Sequence, residues 1–350
     1  MRQAEEADVA ARERGMYSVA GPWIPPAAVA LLVVISFCVG KYPVSLGDFT
    51  GAVIAAVTGD HHGVAENVET VLWQIRLPRV AAGLLVGAAL AAAGGAYQGL
   101  FRNPLVSPDI LGVTAGASLG AVLGIFLSLP AALIQALAFA GGLAAVALVY
   151  AIGSAVRARD TVLVLVLAGV AIGALLGALV SLLKVLADPY DQLPAITFWL
   201  LGSLSAVTRG DVLSAAPAML IGLTPMVLLR WRMNVMSLDD DEARALGLDT
   251  RRLRLVLIGA ATLMTAAAVS IAGVVGWIGL LVPHIARMMV GPDFARLLPA
   301  SIMLGGGFLV GVDLIARSAA SIEIPLGVLT AALGAPFFLY LLATSNRAWR

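Results

Sequence analysis

An acidic run with the pattern of a helix start is the most distinctive polar segment of the chain. Residues 237–249 read SLDDDEARALGLD, with four consecutive acids soon after Ser237 and Gly247 near the end. Serine can cap a helix, the helix dipole favours acids in the first turn, and glycine readily ends a helix. The pattern predicts a short amphipathic helix that presents Ala243, Leu246 and Leu248. Such a segment either docks against a soluble partner or is an ordinary solvated loop.

Other reactive residue types are few, and their surroundings do not indicate catalysis. His284 follows Pro283 and is expected to lie at the start of a short helix. His61 and His62 are expected to be a solvated pair, with transient contact to an incoming metal or haem as the alternative. The single cysteine, Cys38, excludes an internal disulfide and a cysteine-based metal cage. We find no nucleophile with a base and no paired carboxylates. The sequence therefore predicts no catalytic residue and no metal site.

Nucleotide chemistry is also not expected from this chain. Its only lysines are Lys41 and Lys184, and neither stands in a glycine-rich loop of the spacing that binds phosphate. Any ATP hydrolysis linked to this protein must therefore come from another chain.

The elements that position these residues are predicted to lie in a bilayer. Hydrophobic residues make up 60% of the 350, charged residues only 12%, and the mean hydropathy is +0.97. One aqueous core cannot satisfy such a composition. A net charge of +1 gives no basic surface for nucleic acid. We predict an all-α integral membrane protein in contact with lipid.

About 20 apolar residues are needed for each crossing, and roughly ten segments meet or approach this length. They are 23–41, 72–100, 109–129, 131–153, 161–187, 211–230, 253–275, 278–290, 297–318 and 325–344. Residues 194–204 are predicted as a further short surface helix. The membrane domain is thus placed at 23–344, with a loop at 236–250 and polar tails at 1–22 and 345–350. The first span lacks a clear cleavage site, so we expect it to be retained.

The distribution of basic residues predicts the orientation. An even number of spans puts both termini on one side, and that side carries sixteen of the 22 basic residues. Cytoplasmic loops are enriched in lysine and arginine, so both termini and the 236–250 loop are predicted to be cytoplasmic. The opposite side holds Lys41, Arg76, Arg79, Lys184, Arg209 and Arg317.

Glycines recur at four-residue spacing in several spans, which puts small residues on one face of a helix. Such faces let helix backbones approach closely in a membrane, and we predict tight packing there rather than substrate contact. The glycines are Gly83 and Gly87, Gly95 and Gly99, Gly112, Gly116, Gly120 and Gly124, and Gly169, Gly173 and Gly177.

Three long segments resemble a known transport family. Residues 76–120 read RLPRVAAGLLVGAALAAAGGAYQGLFRNPLVSPDILGVTAGASLG, residues 274–299 read VVGWIGLLVPHIARMMVGPDFARLLP, and residues 324–342 read IPLGVLTAALGAPFFLYLL. In this order they resemble the iron-siderophore, haem and cobalamin permeases of bacterial ATP-binding-cassette importers. The resemblance covers about residues 70–345, and the EARALGLD stretch of the acidic run resembles the segment with which these permeases contact their ATPase.

The resemblance implies a homodimer of ten-span subunits in the inner membrane, two ATP-binding-cassette ATPases that bind ATP and magnesium, and one periplasmic substrate-binding protein. The permease itself would bind no cofactor. The residues implied to dock in the ATPase groove are Glu242, Ala243, Arg244, Ala245, Leu246 and Gly247.

Arg76, Arg79 and Arg317 match positions where family members present basic side chains to acids on the binding protein. Arginine suits this role because it keeps its charge and grips carboxylates with two hydrogen bonds. The alternatives are snorkelling anchors at the membrane surface and, for Arg317, an intrahelical pair with Asp313 four residues earlier.

Asn103, Leu105, Asp160 and Thr161 match positions near the family's cytoplasmic gate. Asp160 departs from the small hydroxyl residue that relatives often carry, and it could instead be a helix-start residue.

The resemblance implies an importer permease that moves a ferric siderophore, haem or cobalamin by alternating access, without fixing which. A path lined with small and apolar residues fits release of a large chelate. The second hypothesis is a secondary transporter driven by an ion gradient, which would need paired ionisable residues near the middle of the membrane. Lys184, Asp313 and Arg317 lie toward predicted helix ends, which argues against it. A third, an integral-membrane enzyme, would need a convergent reactive cluster.

Overall fold

The structure, a computed structural model, describes residues 24–60, 64–156 and 161–344. The described residues form fourteen α-helices and contain no β-strand. Six of these helices are long and apolar enough to cross a membrane. They are α3 (Glu66–Leu100), α5 (Ala131–Ala155), α6 (Thr161–Leu186), α8 (Arg209–Leu228), α11 (Thr250–Ala272) and α13 (Phe294–Ser318).

The other eight helices are shorter. Six are apolar: α1 (Ile24–Cys38), α2 (Leu46–Thr58), α4 (Val113–Phe126), α7 (Gln192–Leu201), α12 (Ile278–Val290) and α14 (Leu326–Thr344). The remaining two, α9 (Arg230–Val235) and α10 (Asp240–Ala245), lie between α8 and α11.

The membrane character of the chain agrees with the sequence analysis, whereas its count of ten spans stays a prediction. Four predicted spans correspond to α1, α4, α12 and α14, whose apolar stretches are shorter than a standard crossing. The predicted surface helix at 194–204 is α7. The sequence analysis missed α2, which Ser45 caps by accepting a hydrogen bond from the Asp48 amide at 3.0 Å.

The core is organised around α3 and α11, whose apolar stretches are both 78% buried. Helix α3 packs against α11, α12 and α13, and its Tyr97 side chain is fully buried in the apolar cluster that also includes Met264 and Leu257. In contrast, the apolar stretch of α6 is only 11% buried in the single chain. The central helices are therefore positioned by protein contacts on most of their circumference.

Glycine contacts between helices confirm most of the predicted tight packing. Gly87 of α3 lies against Gly305 of α13, and Gly116 of α4 lies against Gly141 of α5; a Cβ on any of the four would overlap a backbone carbonyl oxygen. The prediction is wrong for Gly173 and Gly177 on α6, because no atom lies within 4 Å of a Cβ at either position. Their helix face is open in the single chain.

Helix α3 begins irregularly, since residues Thr70–Arg76 are π-helical before Leu77–Leu100 continues as regular α-helix. π-Helical turns are rare and weaken the regular backbone ladder. Here the carbonyl oxygen of Trp73 accepts a hydrogen bond from Nε of Arg209, at 3.0 Å, from the first residue of α8. The irregular turn also contains Arg76, which leads to the first candidate site.

Candidate functional site

The outer end of the α3–α13 pair, on the predicted periplasmic side, holds a cluster of charged side chains. Nε of Arg79 donates to both carboxylate oxygens of Asp313, at 2.8 and 2.9 Å. Nη1 and Nη2 of the same guanidinium donate to the two oxygens of Glu323, at 3.0 and 2.9 Å. All three guanidinium nitrogens of Arg79 thus donate to two carboxylates of its own chain, one buried in α13 and one in the loop before α14.

Arg76 and Arg317 bind the end of α1. Arg76 donates to the carbonyl oxygens of Phe37 and Tyr42, and Arg317 donates to the carbonyl oxygen of Ser36 and, at 2.6 Å, to its hydroxyl. The last carbonyls of a helix have no partner within it. The two guanidinium groups therefore hold the C-terminal turn of α1 against α3 and α13.

The sequence analysis expected Arg76, Arg79 and Arg317 to present their side chains outward. The structure instead buries all three, with exposures of 3%, 7% and 6%. The expected intrahelical pair is present, because Nε of Arg317 lies 3.7 Å from a carboxylate oxygen of Asp313. Snorkelling does not describe these residues, since their charged ends point to protein acceptors. A contact with a binding protein stays a prediction.

Glu323 is the most accessible member of this cluster, with a side chain 30% exposed. Its hydrogen bonds from Arg79 lower the pKa of the Glu323 carboxyl below its ordinary value, and nearby positive charges act in the same direction. The carboxylate is therefore ionised at neutral pH. The sequence analysis did not find Glu323, because 244 positions separate it from Arg79.

The second candidate site is the segment from α9 to the start of α11, on the predicted cytoplasmic side. Helix α10 confirms the short helix predicted there, and Gly247 ends it in the left-handed region at φ +81°. The amides of Gly247 and Leu248 close the turn by donating to the carbonyls of Arg244 and Ala243, at 2.8 and 3.1 Å.

Two details of that prediction are wrong. Ser237 does not cap α10; its hydroxyl donates to the Asn234 carbonyl at 2.7 Å, and the cap position is Asp239. Ala243 is not presented to solvent, because it is 1% exposed and packs toward the chain, whereas Leu246 is 67% exposed. Glu242, Arg244, Ala245 and Gly247 are exposed as well. Around α10 the segment therefore offers a partner a mainly polar surface with Leu246 exposed within it.

Asn234 of α9 ties this segment to the start of α13. Its Nδ2 donates to the Asp293 carboxylate at 2.6 Å, and its Oδ1 accepts from the Phe294 amide at 2.8 Å. The hydrogen bond from Asn234 is the largest cause of a lowered pKa for Asp293, which also accepts from the Ala295 amide. These two hydrogen bonds fix α9 to the start of α13.

The predicted gate residues belong to two separate segments of the chain. The Asn103 side chain accepts from the Leu105 amide at 2.9 Å, which folds the loop after α3 into a tight turn, and Leu105 is 46% exposed. Thr161 is the first residue of α6. Asp160 lies outside the described residues, so the gate as a whole stays a prediction. Directly before Asn103 stands Arg102, which sequence reasoning did not single out.

His284 lies in the middle of α12 rather than at its start, so that detail of the sequence analysis is wrong. His61 and His62 lie outside the described residues. Within the described ranges, no group of three histidine, cysteine, aspartate or glutamate side chains converges as a metal ligand set would.

Comparison with known proteins adds to this geometry. The sequence model of the FecCD transport family matches residues 28–344. The molybdate import system permease protein MolB of Haemophilus influenzae is 37% identical, with 89% of this chain and 91% of that protein covered. The cobalamin import system permease protein BtuC of Halobacterium salinarum is 44% identical over 80% of this chain and 75% of its own. The Fe(3+)-citrate import system permease protein YfmE of Bacillus subtilis is 38% identical over 92% and 96%.

A solved structure is also similar. It is described as an inward-facing conformation of a metal-chelate type ABC transporter, is 35% identical, and superposes with a TM-score of 0.82 over 91% of this chain and 97% of its own.

Proposed function

The chain belongs to the FecCD transport family, and on that premise we propose that it is the membrane permease subunit of an importer in the bacterial inner membrane. Two separate ATPase subunits power the importer and carry ATP and magnesium. A homodimer of this chain forms the path, and a periplasmic binding protein delivers the cargo. The permease cycles between outward-open and inward-open forms. It carries no nucleotide site of its own, which fits its lack of a phosphate-binding loop.

The cargo we propose is a metal chelate, meaning a ferric complex, haem or a corrinoid. Names among the similar permeases specify Fe(3+)-citrate and cobalamin. One names molybdate, an oxyanion that the sequence analysis did not consider. Molybdate is therefore the competing cargo class. Selection between a chelate and an oxyanion would depend on the binding protein as well as on this chain.

The main support for the proposed ATPase contact is the exposure of the segment around α10. Glu242 and Arg244 of α10, and Leu246 directly after it, are exposed, and neighbouring residues anchor this segment to the longer helices. A small projecting surface on a firmly held base is suited to fit a groove on a soluble partner.

The outer partnership is supported by the excess of positive charge in the arginine cluster. Arg79 and Arg317 pair with the two carboxylates there, and Arg76 adds a third guanidinium bound to backbone carbonyls, so these five side chains carry a net positive charge near the predicted outer surface. An acidic partner complements it. We propose that the loop around Glu323, where the cluster is most accessible, is the point of approach.

The test is uptake by proteoliposomes that contain this protein and the ATPase encoded beside it, with the neighbouring binding protein outside. Ferric citrate, haem, cobalamin and molybdate are supplied in turn, each radiolabelled. Uptake that requires ATP, the binding protein and one cargo would support the proposal and name the cargo. Uptake driven by a proton or sodium gradient without an ATPase would replace it with the secondary-transporter hypothesis.

A further inference from the structure

Arg102 joins the loop that contains Asn103 and Leu105 to the segment that carries α10. Its Nε donates to the carbonyl oxygen of Met236 at 3.1 Å, and its Nη1 donates to the Asp239 carboxylate at 2.7 Å. More than 130 positions of sequence separate the two sides of this contact. The Arg102 guanidinium thus binds one backbone group and one side chain in the stretch directly before α10.

The Asp239 carboxylate is committed to this contact. Asp239 occupies the cap position of α10, where an aspartate side chain normally accepts a hydrogen bond from the first turn of the helix. It makes no such bond here. The side chain of the cap residue of α10 is therefore held by Arg102 rather than by the helix that it precedes.

The backbone of Arg102 also has an uncommon conformation, at φ +49°. Residues with a Cβ seldom adopt this left-handed region, and they do so where neighbouring contacts hold them. It turns the chain at the end of α3, where the Arg102 and Asn103 amides donate to the carbonyls of Gly99 and Gln98 at 3.3 and 3.1 Å. Arg102 therefore both turns the chain after α3 and contacts the segment that carries α10.

A purely stabilising role does not explain the contact well. The side chains of Arg102 and Asp239 are 35% and 81% exposed, and solvent-exposed ion pairs add little to the stability of a fold. The contact instead fixes the position of one segment relative to the other. A displacement of Asp239, the cap residue of α10, would be transmitted to Arg102 and so to the loop after α3. Another tie of the segment, through Asn234, leads to α13 instead.

We propose that Arg102 is a positioning residue that couples displacement of α10 to movement of the Asn103–Leu105 loop. This inference rests on the proposed function, in which an ATPase displaces α10 during its cycle. Without the contact, the ATPase still binds and hydrolyses ATP, but the loop follows its motion poorly, so fewer cargo molecules cross for each ATP hydrolysed.

The experiment measures uptake and ATP hydrolysis together in the reconstituted complex, with whichever of ferric citrate, haem, cobalamin or molybdate the wild type transports. Arg102→Ala and Asp239→Ala should each lower the ratio of uptake to ATP hydrolysis by about fivefold, as loss of one charged contact would. Arg102→Lys, which keeps the charge but not the two-point grip, should lie between them and the wild type. The exchange Arg102→Asp with Asp239→Arg should recover part of the ratio.

The matched control is Arg252→Ala. The Arg252 side chain is 87% exposed and pairs with Asp249, the cap residue directly before α11, so its removal takes away an arginine and an ion pair but no link between distant segments. Arg252→Ala should keep the wild-type ratio of uptake to ATP hydrolysis.

An unchanged ratio in Arg102→Ala, or equal losses in Arg102→Ala and Arg252→Ala, would overturn the inference. If Arg102→Ala yields no complex, the double exchange decides: recovery of the ratio supports the inference and no recovery contradicts it. Failure of the proposed function looks different, because the wild type itself would then show no ATP-driven uptake.

Discussion

Gly87 and Gly305 touch backbone to backbone where α3 crosses α13. A Cβ on Gly87 would overlap the Gly305 carbonyl oxygen, and a Cβ on Gly305 would overlap that of Gly87. Neither helix can yield easily, because both carbonyls belong to regular helix and α3 is enclosed by α11, α12 and α13. The contact sets the distance between the helices that carry Arg79 and Asp313.

Gly87→Ala should therefore lower the free energy of unfolding by about 1 to 3 kcal/mol, the usual cost of overpacking. Thermal unfolding in detergent measures it. Gly173→Ala is the matched control, because nothing lies within 4 Å of its Cβ position and alanine favours helix over glycine. Equal stability of the two variants would show that the helices can separate at this contact.

Removing the Asp313 charge should be far more damaging than removing that of Glu323. Asp313 is buried between Arg79 and Arg317, so Asp313→Asn leaves buried guanidinium charge without compensation and should cost about 3 to 5 kcal/mol. Glu323 is partly exposed, and Glu323→Gln should cost about 1 to 2 kcal/mol. Thermal unfolding of both variants compares them. The reverse order would contradict the burial of the Arg79–Asp313 pair.

Acid should weaken the Arg79–Glu323 contact. The pKa of Glu323 is lower in the folded chain than its ordinary value of 4.5, so the ionised form favours folding. This contribution is fully present above the unfolded pKa and is lost as pH falls through the lower, folded pKa. The stability difference between wild type and Glu323→Gln should therefore be constant from neutral pH down to about pH 5 and shrink below that. Thermal unfolding across pH measures it, and a difference that grows in acid would contradict it.

Reversing the exposed charge of Glu242 should weaken ATPase binding without changing the stability of the fold. Glu242→Lys changes the α10 surface without touching a buried contact, so the unfolding temperature should stay unchanged while copurification of the ATPase falls at least about fivefold. Glu66→Lys is the control, since Glu66 is an exposed acid at the start of α3, on the predicted opposite side of the membrane. Equal ATPase recovery in both variants would exclude the α10 surface as the docking site.

Features set by neighbouring residues could be predicted from sequence. Gly247 ends α10 because a left-handed turn suits glycine, and Arg317 pairs with Asp313 because helical spacing brings them together. Features set by distant residues could not. Ser237 had the right type and spacing to cap α10, but its hydroxyl donates backward to Asn234, and Asp239 takes the cap position while its carboxylate meets Arg102.

The same limit explains the docking arginines. Their types and outer placement predicted charges available to a partner, but the acceptors that bury them come from α1, α13 and the loop before α14. Helix α2 was missed for a different reason. It has only thirteen residues, too few for a spanning pattern, and its signal is the local cap at Ser45.

The pairing of Arg79 with Glu323 has a consequence for any acidic partner. Because both terminal nitrogens of Arg79 already donate to Glu323, an arriving carboxylate would compete with an existing ion pair rather than meet an unpaired guanidinium. The net gain would be the difference between two similar bonds, and the displaced Glu323 would be free to return as the partner leaves. Association by exchange of this kind is inherently reversible, as a carrier that must deliver its cargo and depart requires.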